Sequence, residues 1–295
     1  MEIRHPAIVL CAYRPSFSLL TGHQMNSIRR HYHEIHLQDL SLSEAHDMLE
    51  SLLGTGGIPP ELNRWIQSKT EGNPFYLEEL VNSLIDANIL IRDNGNWKLT
   101  KTITETDIPS SLHGLISGRL DRLEAQTKRI LQEASVIGRD FLYEILQRIT
   151  MINDRIDRDL GKLERLDLIR TRSFQPDLEY MFKHVLTQEI AYTGLLKKQR
   201  KEIHEKSAQV METLFNDRLP EFYETLAFHF SRGHSIEKAV DYLVKSGEKS
   251  LARYAVEEAH QYFKQAYDLL FSKEGITEPE KIVLIDLLNS WGYAF

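Results

Sequence analysis

The first apolar segment of the chain has the character of a buried β-strand. Residues 7–13, AIVLCAY, are continuously apolar and are followed by Arg14 and Pro15. Such runs are typical of strands buried on both faces of a parallel sheet, and a proline stops them. One strand cannot form a sheet, and the later segments predict helices and hairpins. We therefore expect the partner strands to precede Met1, and Cys11 to be buried.

Residues 41–105 show the periodicity of short amphipathic helices. The first helix is capped by Ser41 or Ser43 and ends at Gly54, because serine accepts hydrogen bonds from a helix start and glycine readily ends a helix. Asn94-Gly95, between two alternating segments, predicts a tight hairpin. Two more helices are predicted at 60–70 and about 74–87, and the apolar face of the first consists of Ala45, Met48, Leu49 and Leu52.

Residues 106–186 have the order of a winged-helix domain. An amphipathic helix begins near Ser110, and three further helical segments follow, of which the first ends at Gly138. Two strands, joined at residues 175–177, come last. Three helices followed by a two-stranded wing predict the winged-helix pattern.

The last third of the chain predicts a helical repeat after one long helix at about 187–215. The spacing small-x11-Ala-x3-large-x2-Ala is typical of a tetratricopeptide-type helical hairpin. The two matches overlap by a helix, so their phase stays open. A solenoid without a polar cap leaves an apolar face unpaired, so we expect the chain to end within a repeat. The matches are Ala227, Ala239 and Leu243, then Gly247, Ala259, Phe263 and Ala266, on helices near 220–232, 235–250 and 254–271, with a fourth up to Phe295.

Composition indicates an ordinary globular protein of several units. The 295 residues include 36 Lys and Arg against 43 Asp and Glu, a net charge of −7, which gives no global attraction to nucleic acid. A single cysteine excludes an internal disulfide and favours a reducing compartment. The apolar run at 7–13 is too short to span a bilayer. We expect a cytoplasmic protein without membrane contact.

No complete phosphate-binding loop occurs in the sequence. Such a loop needs G-x4-G-K-[ST], in which lysine contacts the β- and γ-phosphates and Ser or Thr binds Mg²⁺. LGTGGIP at 53–59 lacks the lysine, and in GEKS at 247–250 Glu248 interrupts the pattern. The apolar run that ends at Asp286 is interpreted as a helix. We therefore expect no catalytic residue and no ATP hydrolysis by this chain alone.

The histidine patterns do not complete a metal site. His31 and His33 could begin a Zn²⁺ site, but no further ligands follow, and Ile35 with Leu37 explains the segment as a half-buried strand. We expect no bound metal. The later histidines fit no H-E-x-x-H arrangement and are predicted to be surface residues: His204 with Glu205, and His229 with His234.

DNA binding is a less favoured possibility. Between Asp154 and Asp167, the predicted recognition helix carries five acidic residues against four basic ones. Phosphate contact needs a basic surface, and this helix is close to neutral. The basic run KKQRK at 197–201 is interpreted as a solvated helix face.

Taken in order, the motifs resemble the STAND class of signal-transduction ATPases. They are most similar to the ATPase and tetratricopeptide region that follows the cyclase domains of many class III adenylate and guanylate cyclases. The similarity covers nearly the whole chain, and the combination in this order is specific. The motifs are VLCAYRP, LQDLSLSEA, EGNPFYLEELV, IPSSLHGLISGRLDRL, EASVIGRDF, LERLDLIRT, YMFKHVLTQEIAYTGLL and RKEIHE, followed by the alanine-rich repeats.

The resemblance implies five nucleotide-contacting residues. AYRP is similar to the family's sensor strand, which would place Arg14 near the terminal phosphate. GNP is similar to the Gly-x-Pro motif of the helical lid, formed here by Gly72, Asn73 and Pro74, with the proline near the adenine. FKH is similar to the winged-helix strand whose histidine, here His184, meets the β-phosphate of ADP. Structural interpretations also stand: a helix start, a surface arginine and a core histidine.

The resemblance implies a mainly α fold: an AAA-type helical lid with a remnant strand, a winged helix and a tetratricopeptide-like α-solenoid. The function implied is a regulatory relay in a nucleotide-switched ATPase, in which ATP or ADP with Mg²⁺ binds to a longer parent and not tightly to this chain alone. The implied partners are proteins bound by the repeats, and a missing ATPase core or neighbouring protomer. The alternatives are a stand-alone protein-binding scaffold and a winged-helix transcription regulator. The implied domains are 1–40 (remnant of the ATPase core), 41–105 (lid and hairpin), 106–186 (winged helix) and 187–295 (long helix and repeats).

Overall fold

The computed structural model describes residues 8–13, 32–54, 59–101, 109, 111–150, 156–174, 177–271 and 278–292. Within these ranges the fold is mainly α, with thirteen α-helices and five short strands. The helices are α1 (Leu42–Leu53), α2 (Pro60–Thr70), α3 (Pro74–Asp86), α4 (Leu112–Asp121), α5 (Ala125–Ile137), α6 (Tyr143–Thr150), α7 (Ile156–Arg165), α8 (Val185–Thr193), α9 (Lys197–Leu214), α10 (Tyr223–Arg232), α11 (Ile236–Ala252), α12 (Val256–Phe271) and α13 (Glu278–Gly292). The strands are β1 (Leu90–Asp93), β2 (Asn96–Leu99), β3 (Asp140–Leu142), β4 (Ile169–Ser173) and β5 (Glu179–Phe182).

Helices α1 to α3 and the hairpin β1–β2 form the predicted small bundle. Ser41 is the cap of α1, and it forms a capping box with Glu44. The indole Nε1 of Trp97 donates to the carbonyl of Leu53 at 2.8 Å, which ties the hairpin to the end of α1. The predicted apolar face needs one correction, because Leu53 is buried whereas Leu52 is 40% exposed.

The predicted strand near the start is absent. Residues 8–13 have no regular secondary structure, Ile8 and Leu10 are 98% and 91% exposed, and Cys11 is exposed as well. Ile35 and Leu37, predicted in a half-buried strand, are also exposed, and residues 32–40 contain no strand. A strand needs a neighbouring strand for its backbone groups. Within the described residues neither segment pairs with a strand, although the Tyr13 hydroxyl donates to Oε1 of Glu34 at 3.0 Å, so both strand predictions are wrong for this chain.

A second unit follows, with the order helix, strand, helix, helix, strand, strand from α5 to β5. The predicted three helices and two strands are present, but the segment predicted as the middle helix begins with β3. This strand pairs with β5, and the antiparallel sheet has the order β3-β5-β4. Phe141 and Phe182 pack with ring centroids 5.8 Å apart, and both are buried between the sheet and the helices.

The single long helix predicted at 187–215 is two helices, α8 and α9, separated at Gly194. A Cβ at this position would lie 3.3 Å from Nε2 of Gln132 on α5. Glycine therefore permits a close approach between α5 and the end of α8. Both helices pack against α5, but α8 also contacts α4, whereas α9 contacts α6 and α10.

Helices α10 to α13 form the predicted helical repeat, and consecutive helices from α9 to α13 pack against each other. A Cβ at Gly247 would lie 2.5 Å from Cε1 of Phe263, so α11 and α12 approach closely where the repeat has its small residue. Within the described ranges, no helix has the length and apolarity to cross a membrane. The other positions of the repeat are buried as expected: Ala227, Ala239, Leu243, Ala259, Phe263 and Ala266.

The predicted surface position of His204, Glu205 and His229 is wrong. All three are buried between α9, α10 and the start of α11, whereas His234 is exposed. Glu205 accepts hydrogen bonds from the backbone nitrogens of His234 and Ser235, at 2.8 and 3.1 Å. It thus caps the start of α11 from a different helix. These partners are about thirty positions away in sequence, which a local pattern does not reveal.

Candidate functional site

The GNP turn is held in place by its backbone. Gly72 has a φ of +81°, and a Cβ there would lie 2.4 Å from the carbonyl oxygen of Leu40. The nitrogen of Leu40 also donates to the carbonyl of Gly72 at 2.8 Å. Gly72 is therefore required both by its left-handed conformation and by the close approach of the chain before α1.

Asn73 and Pro74 begin helix α3. The side-chain oxygen of Asn73 accepts a hydrogen bond from the backbone nitrogen of Tyr76 at 3.0 Å, and Pro74 occupies the first turn, where its missing N–H costs nothing. Both residues are exposed. The prediction of a helix start at Pro74 is thus confirmed, and this turn leaves its outer surface open to a ligand.

The first turns of α3 contact the end of β5. The rings of Phe75 and His184 stack with centroids 4.0 Å apart and an angle of 33° between their planes. One turn further along α3, Oε2 of Glu78 lies 3.4 Å from Nε2 of His184. The structure therefore places His184 next to the helix that the GNP turn begins.

Lys183 adds a second positive charge to this contact. Its Nζ lies 2.5 Å from Oε1 of Glu78, and it also pairs with Asp167 at the end of the segment after α7. The pKa of the Glu78 carboxyl is held at about 2, first by His184 and then by Lys183, against the opposing effect of burial. Glu78 is thus ionised over the whole neutral range and joins α3 to the second unit.

A buried ion-pair cluster joins α3 to α4 behind this site. Arg119 donates to Oε2 of Glu79 at 2.7 Å and to Oδ2 of Asp86 at 2.8 Å. Its third bond goes to the carbonyl of Leu166, also at 2.8 Å, in the segment between α7 and β4. The guanidinium therefore connects the bundle to the second unit, and the orientation of α3 depends on it.

The predicted site residues are in part brought together. Gly72, Asn73 and Pro74 form one turn, and His184 packs against Phe75, which directly follows Pro74. Arg14 lies outside the described residues. Their roles toward a nucleotide stay predictions. Within the described part of the chain, no group of three or more His, Cys, Asp or Glu side chains could hold a metal ion.

Sequence reasoning missed Phe75, Glu78 and Lys183. Phe75 and Glu78 are three positions apart, so a helical reading of the GNP segment would have placed them on one face of α3. Lys183 directly precedes the singled-out histidine. The pairing of these residues across more than one hundred positions of sequence was not visible in any local pattern.

Comparisons with known proteins add three similarities. A family described as a domain of unknown function (DUF8739) matches residues 41–98, which contain the bundle and its hairpin. An uncharacterized protein of Rhizobium meliloti (strain 1021) is 23% identical over 243 residues, which cover 78% of this chain and 22% of that protein. A solved structure, that of a Signal Transduction ATPase with Numerous Domains (STAND) protein with a tetratricopeptide repeat sensor from Pyrococcus horikoshii, is similar with a TM-score of 0.41 and 14% identity. It is matched over 88% of this chain and 44% of its own, so this chain spans less than half of either protein.

Proposed function

We propose that this chain is a regulatory relay segment of a nucleotide-switched signalling ATPase of the STAND type. The observation that supports the proposal is the stacking of Phe75 on His184 at 4.0 Å. It joins the helix that begins at the GNP turn to the strand that carries the histidine. In this proposal residues 106–186 act as a winged-helix domain, the repeats bind a protein partner or effector, such as a cyclase, and the protein is cytoplasmic.

The residues at this contact fit a phosphate group. Nε2 of His184 is buried and, within the described part of the chain, makes no hydrogen bond of good geometry, although it lies 3.4 Å from a carboxylate oxygen of Glu78. A buried nitrogen whose polar neighbour lies at 3.4 Å is poorly satisfied, and a phosphate oxygen at hydrogen-bond distance would satisfy it better. Pro74, Lys183 and His184 are the residues that would hold ADP, whose phosphates supply negative charge at this junction. The nucleotide core itself would lie outside this chain.

The relay would act through the contact between α3 and the second unit. Glu78 binds Lys183 and lies against His184, so its carboxylate competes with any other anion for these two groups. While Glu78 contacts Lys183 and His184, α3 is bound to the second unit. When an anion replaces Glu78 at these two side chains, the second unit and the repeats that follow it can move relative to α3. Packed interfaces of this kind switch between discrete arrangements.

The test uses the longest open reading frame that contains this chain. The protein is purified without added nucleotide, and the ADP bound per protomer is measured after denaturation. We expect bound ADP in the parent protein and in the control variant His113→Ala, since His113 is exposed on α4. In His184→Ala we expect ADP affinity to fall by about tenfold or more, the effect of one lost charge-assisted hydrogen bond. Unchanged ADP retention in His184→Ala would count against the proposal.

A stand-alone protein-binding scaffold is the second candidate function. It is favoured by apolar side chains on α13, where Ile282 is 64% exposed, Ile285 58% and Leu288 48%. A row of exposed apolar residues is typical of a protein contact. The same experiment separates the two functions, because a longer protein that binds no ADP under any condition would favour the scaffold.

A transcription regulator is less well supported. On α7, Lys162 pairs with Glu124 at 2.8 Å, and Asp159 is buried in a hydrogen bond with Thr127. The helix therefore uses part of its charge within the protein and presents no strongly basic surface. Salt-dependent retention of the protein on duplex DNA would support this function.

A further inference from the structure

A cavity of about 370 Å³ lies between the second unit and the first repeat helices. Its lining comes from the end of α5, from α8, and from His204 on α9 and Phe228 and Arg232 on α10. The volume falls at the lower end of the range of about 300–1,000 Å³ that is usual for small-molecule sites. The cavity is remote in sequence from the GNP turn and has no role in the proposed relay.

Two arginines stack on aromatic rings of the cavity wall. The guanidinium carbon of Arg232 lies 3.8 Å from the ring centroid of Phe228, and that of Arg200 lies 4.9 Å from the ring centroid of Tyr192. Among the described residues, neither arginine forms a salt bridge. Stacking fixes a guanidinium without using its charge, so both remain able to attract an anion.

The buried side of the cavity is polar but uncharged. The hydroxyl of Tyr192 lies 3.1 Å from Nε2 of His204, and Nδ1 of His204 lies 2.9 Å from Nδ1 of His229. Burial is the main cause that lowers the pKa of His204 to about 3, followed by His229, Arg232 and Arg200. The imidazole is therefore neutral, and the two guanidinium charges act on this side of the cavity.

Glu189 is the one carboxylate among the lining residues, and it is exposed. It lies on α8, one turn before the aromatic ring of Tyr192. A cationic ligand would have to rely on this solvated carboxylate alone. An anionic ligand would instead be attracted by the Arg232 guanidinium, which stacks on Phe228. The charges of Arg232 and Arg200 also create a positive potential at His204.

We propose that this cavity binds a small organic anion, a carboxylate carried on a planar apolar body about the size of one aromatic ring. Nη1 of Arg232 already donates to the carbonyl of Phe228 at 3.2 Å, so the carboxylate pairs in a bidentate manner with the edge formed by Nε and Nη2. The apolar body packs against Val136 and Tyr192. Such a ligand would connect α8 to α10 and thereby stabilise the junction between the second unit and the repeats.

The test compares three probes with the same ring and chain: 3-phenylpropanoate, 3-phenylpropanamide and 3-phenylpropylamine. Each is titrated calorimetrically into the intact chain near neutral pH and low salt. We expect the carboxylate to bind about tenfold more tightly than the amide, the amine to bind weakest, and the carboxylate to raise the melting temperature most at equal concentration.

Three variants separate the role of Arg232 from a general effect of charge. Arg232→Gln should weaken binding of the carboxylate by about tenfold and leave the amide unchanged, while Arg232→Lys should retain part of the affinity because it keeps the charge. Arg165→Gln is the matched control: Arg165 is exposed on α7 and, within the described residues, forms no salt bridge. It should leave all three affinities unchanged.

Several outcomes would overturn the inference. Equal affinity for carboxylate and amide would remove the role of the positive charge, and tighter binding of the amine would assign the cavity to a cation held by Glu189. Unchanged carboxylate binding in Arg232→Gln, or no binding of any probe, would equally contradict it. A urea unfolding curve for each variant shows whether a lost signal reflects the site or the fold.

Discussion

The Nδ1 atoms of His204 and His229 lie 2.9 Å apart between α9 and α10, and both imidazoles are almost fully buried. Two imidazole nitrogens at this distance need one donor and one acceptor, so at most one of the two rings can carry a positive charge while they share this bond. Burial is the main cause that lowers the pKa of His204 to about 3 and that of His229 to about 4. The helix pair α9–α10 thus contains two histidines that are neutral in the folded protein near neutral pH and take up protons more readily once the protein unfolds.

Because of the pair His204 and His229, we expect the protein to lose stability in mild acid. The unfolded imidazoles titrate near pH 6.5. Because the folded pKa values are lower, the stabilisation is complete above pH 6.5 and is lost as the pH falls from 6.5 toward 4. Each histidine should contribute about 1.4 kcal/mol per pH unit over this window. Urea unfolding at pH 7.5, 6 and 5 measures the slope.

The double variant His204→Gln/His229→Gln tests whether this pair causes the slope. It is less stable at pH 7.5, because a buried network is broken, but its free energy of unfolding should vary much less between pH 6.5 and 5. The exposed His113 gives the control His113→Gln, which should keep the parent's slope. An equally steep slope in the double variant would show that other groups dominate.

We expect one added methyl group at Gly247 to lower the stability of the protein strongly. In Gly247→Ala the new Cβ would lie 2.5 Å from Cε1 of the fully buried Phe263, so α11 and α12 must move apart or the ring must shift. Overpacking of this kind costs about 1–3 kcal/mol. Gly118 on α4 is the control, since nothing lies within 4 Å of its added Cβ. Urea unfolding should show Gly118→Ala neutral or stabilised, and equal effects at both glycines would contradict the prediction.

Most helices could be predicted from the sequence because their boundaries are set by nearby residues. Ser41 and Gly54 bound α1, and Asn94-Gly95 turns the first hairpin, as the pattern indicated. Strand β3 could not be predicted in the same way. Its three residues form a strand only because β5, about forty positions later, pairs with it.

Sequence motifs alone did not reveal that His204 and His229 are buried. His204 lies on the same face of α9 as Ala208 and Met211, at helical spacing, so the apolar period did indicate burial. His229 follows Leu226 by three positions on α10 in the same way. The H-E-x-x-H spacing concerns metal ligands only and carries no information on burial, so the surface position predicted for these residues was wrong. The contact between the helix that follows the GNP turn and His184 is long-range, so no local pattern could show it, and the role of these residues toward a nucleotide stays a prediction.

We expect replacement of Arg119 to cause a large loss of stability. Its side chain is 3% exposed, and Arg119→Met would leave the buried carboxylate of Glu79 and the half-buried one of Asp86 without their partner. Removing one member of a buried ion pair costs about 3–5 kcal/mol, mainly because an uncompensated charge stays behind. Urea unfolding at pH 7.5 measures the loss.

A triple variant separates the unpaired charges from lost packing. Arg119→Met combined with Glu79→Gln and Asp86→Asn removes the charges together, so it should regain a large part of the stability lost in Arg119→Met alone. An exposed ion pair gives the control: Arg148→Met breaks the pair with Glu144 on α6 and should cost less than about 1 kcal/mol. A triple variant less stable than Arg119→Met would contradict the prediction.

We expect Glu78 to cause a second loss of stability in acid, at lower pH than the loss caused by the histidines. The folded pKa is about 2 against an ordinary value of 4.5. The stabilisation is therefore complete above pH 4.5 and is lost as the pH falls from 4.5 toward 2. Since Glu78 is 14% exposed, we expect Glu78→Gln to lower the free energy of unfolding at pH 7 by about 1–3 kcal/mol.

The difference between Glu78→Gln and its parent should shrink as the pH is lowered from 4.5 to 3, because the parent then loses the same charge by protonation. Glu202→Gln is the matched control, since Glu202 is exposed on α9 and its loss should leave stability within about 0.5 kcal/mol of the parent. A difference that stays constant down to pH 3 would mean that Glu78 acts through packing and not through its charge. In that case the carboxylate would not compete with a phosphate at His184, and the proposed relay could not act through exchange of Glu78 for a phosphate.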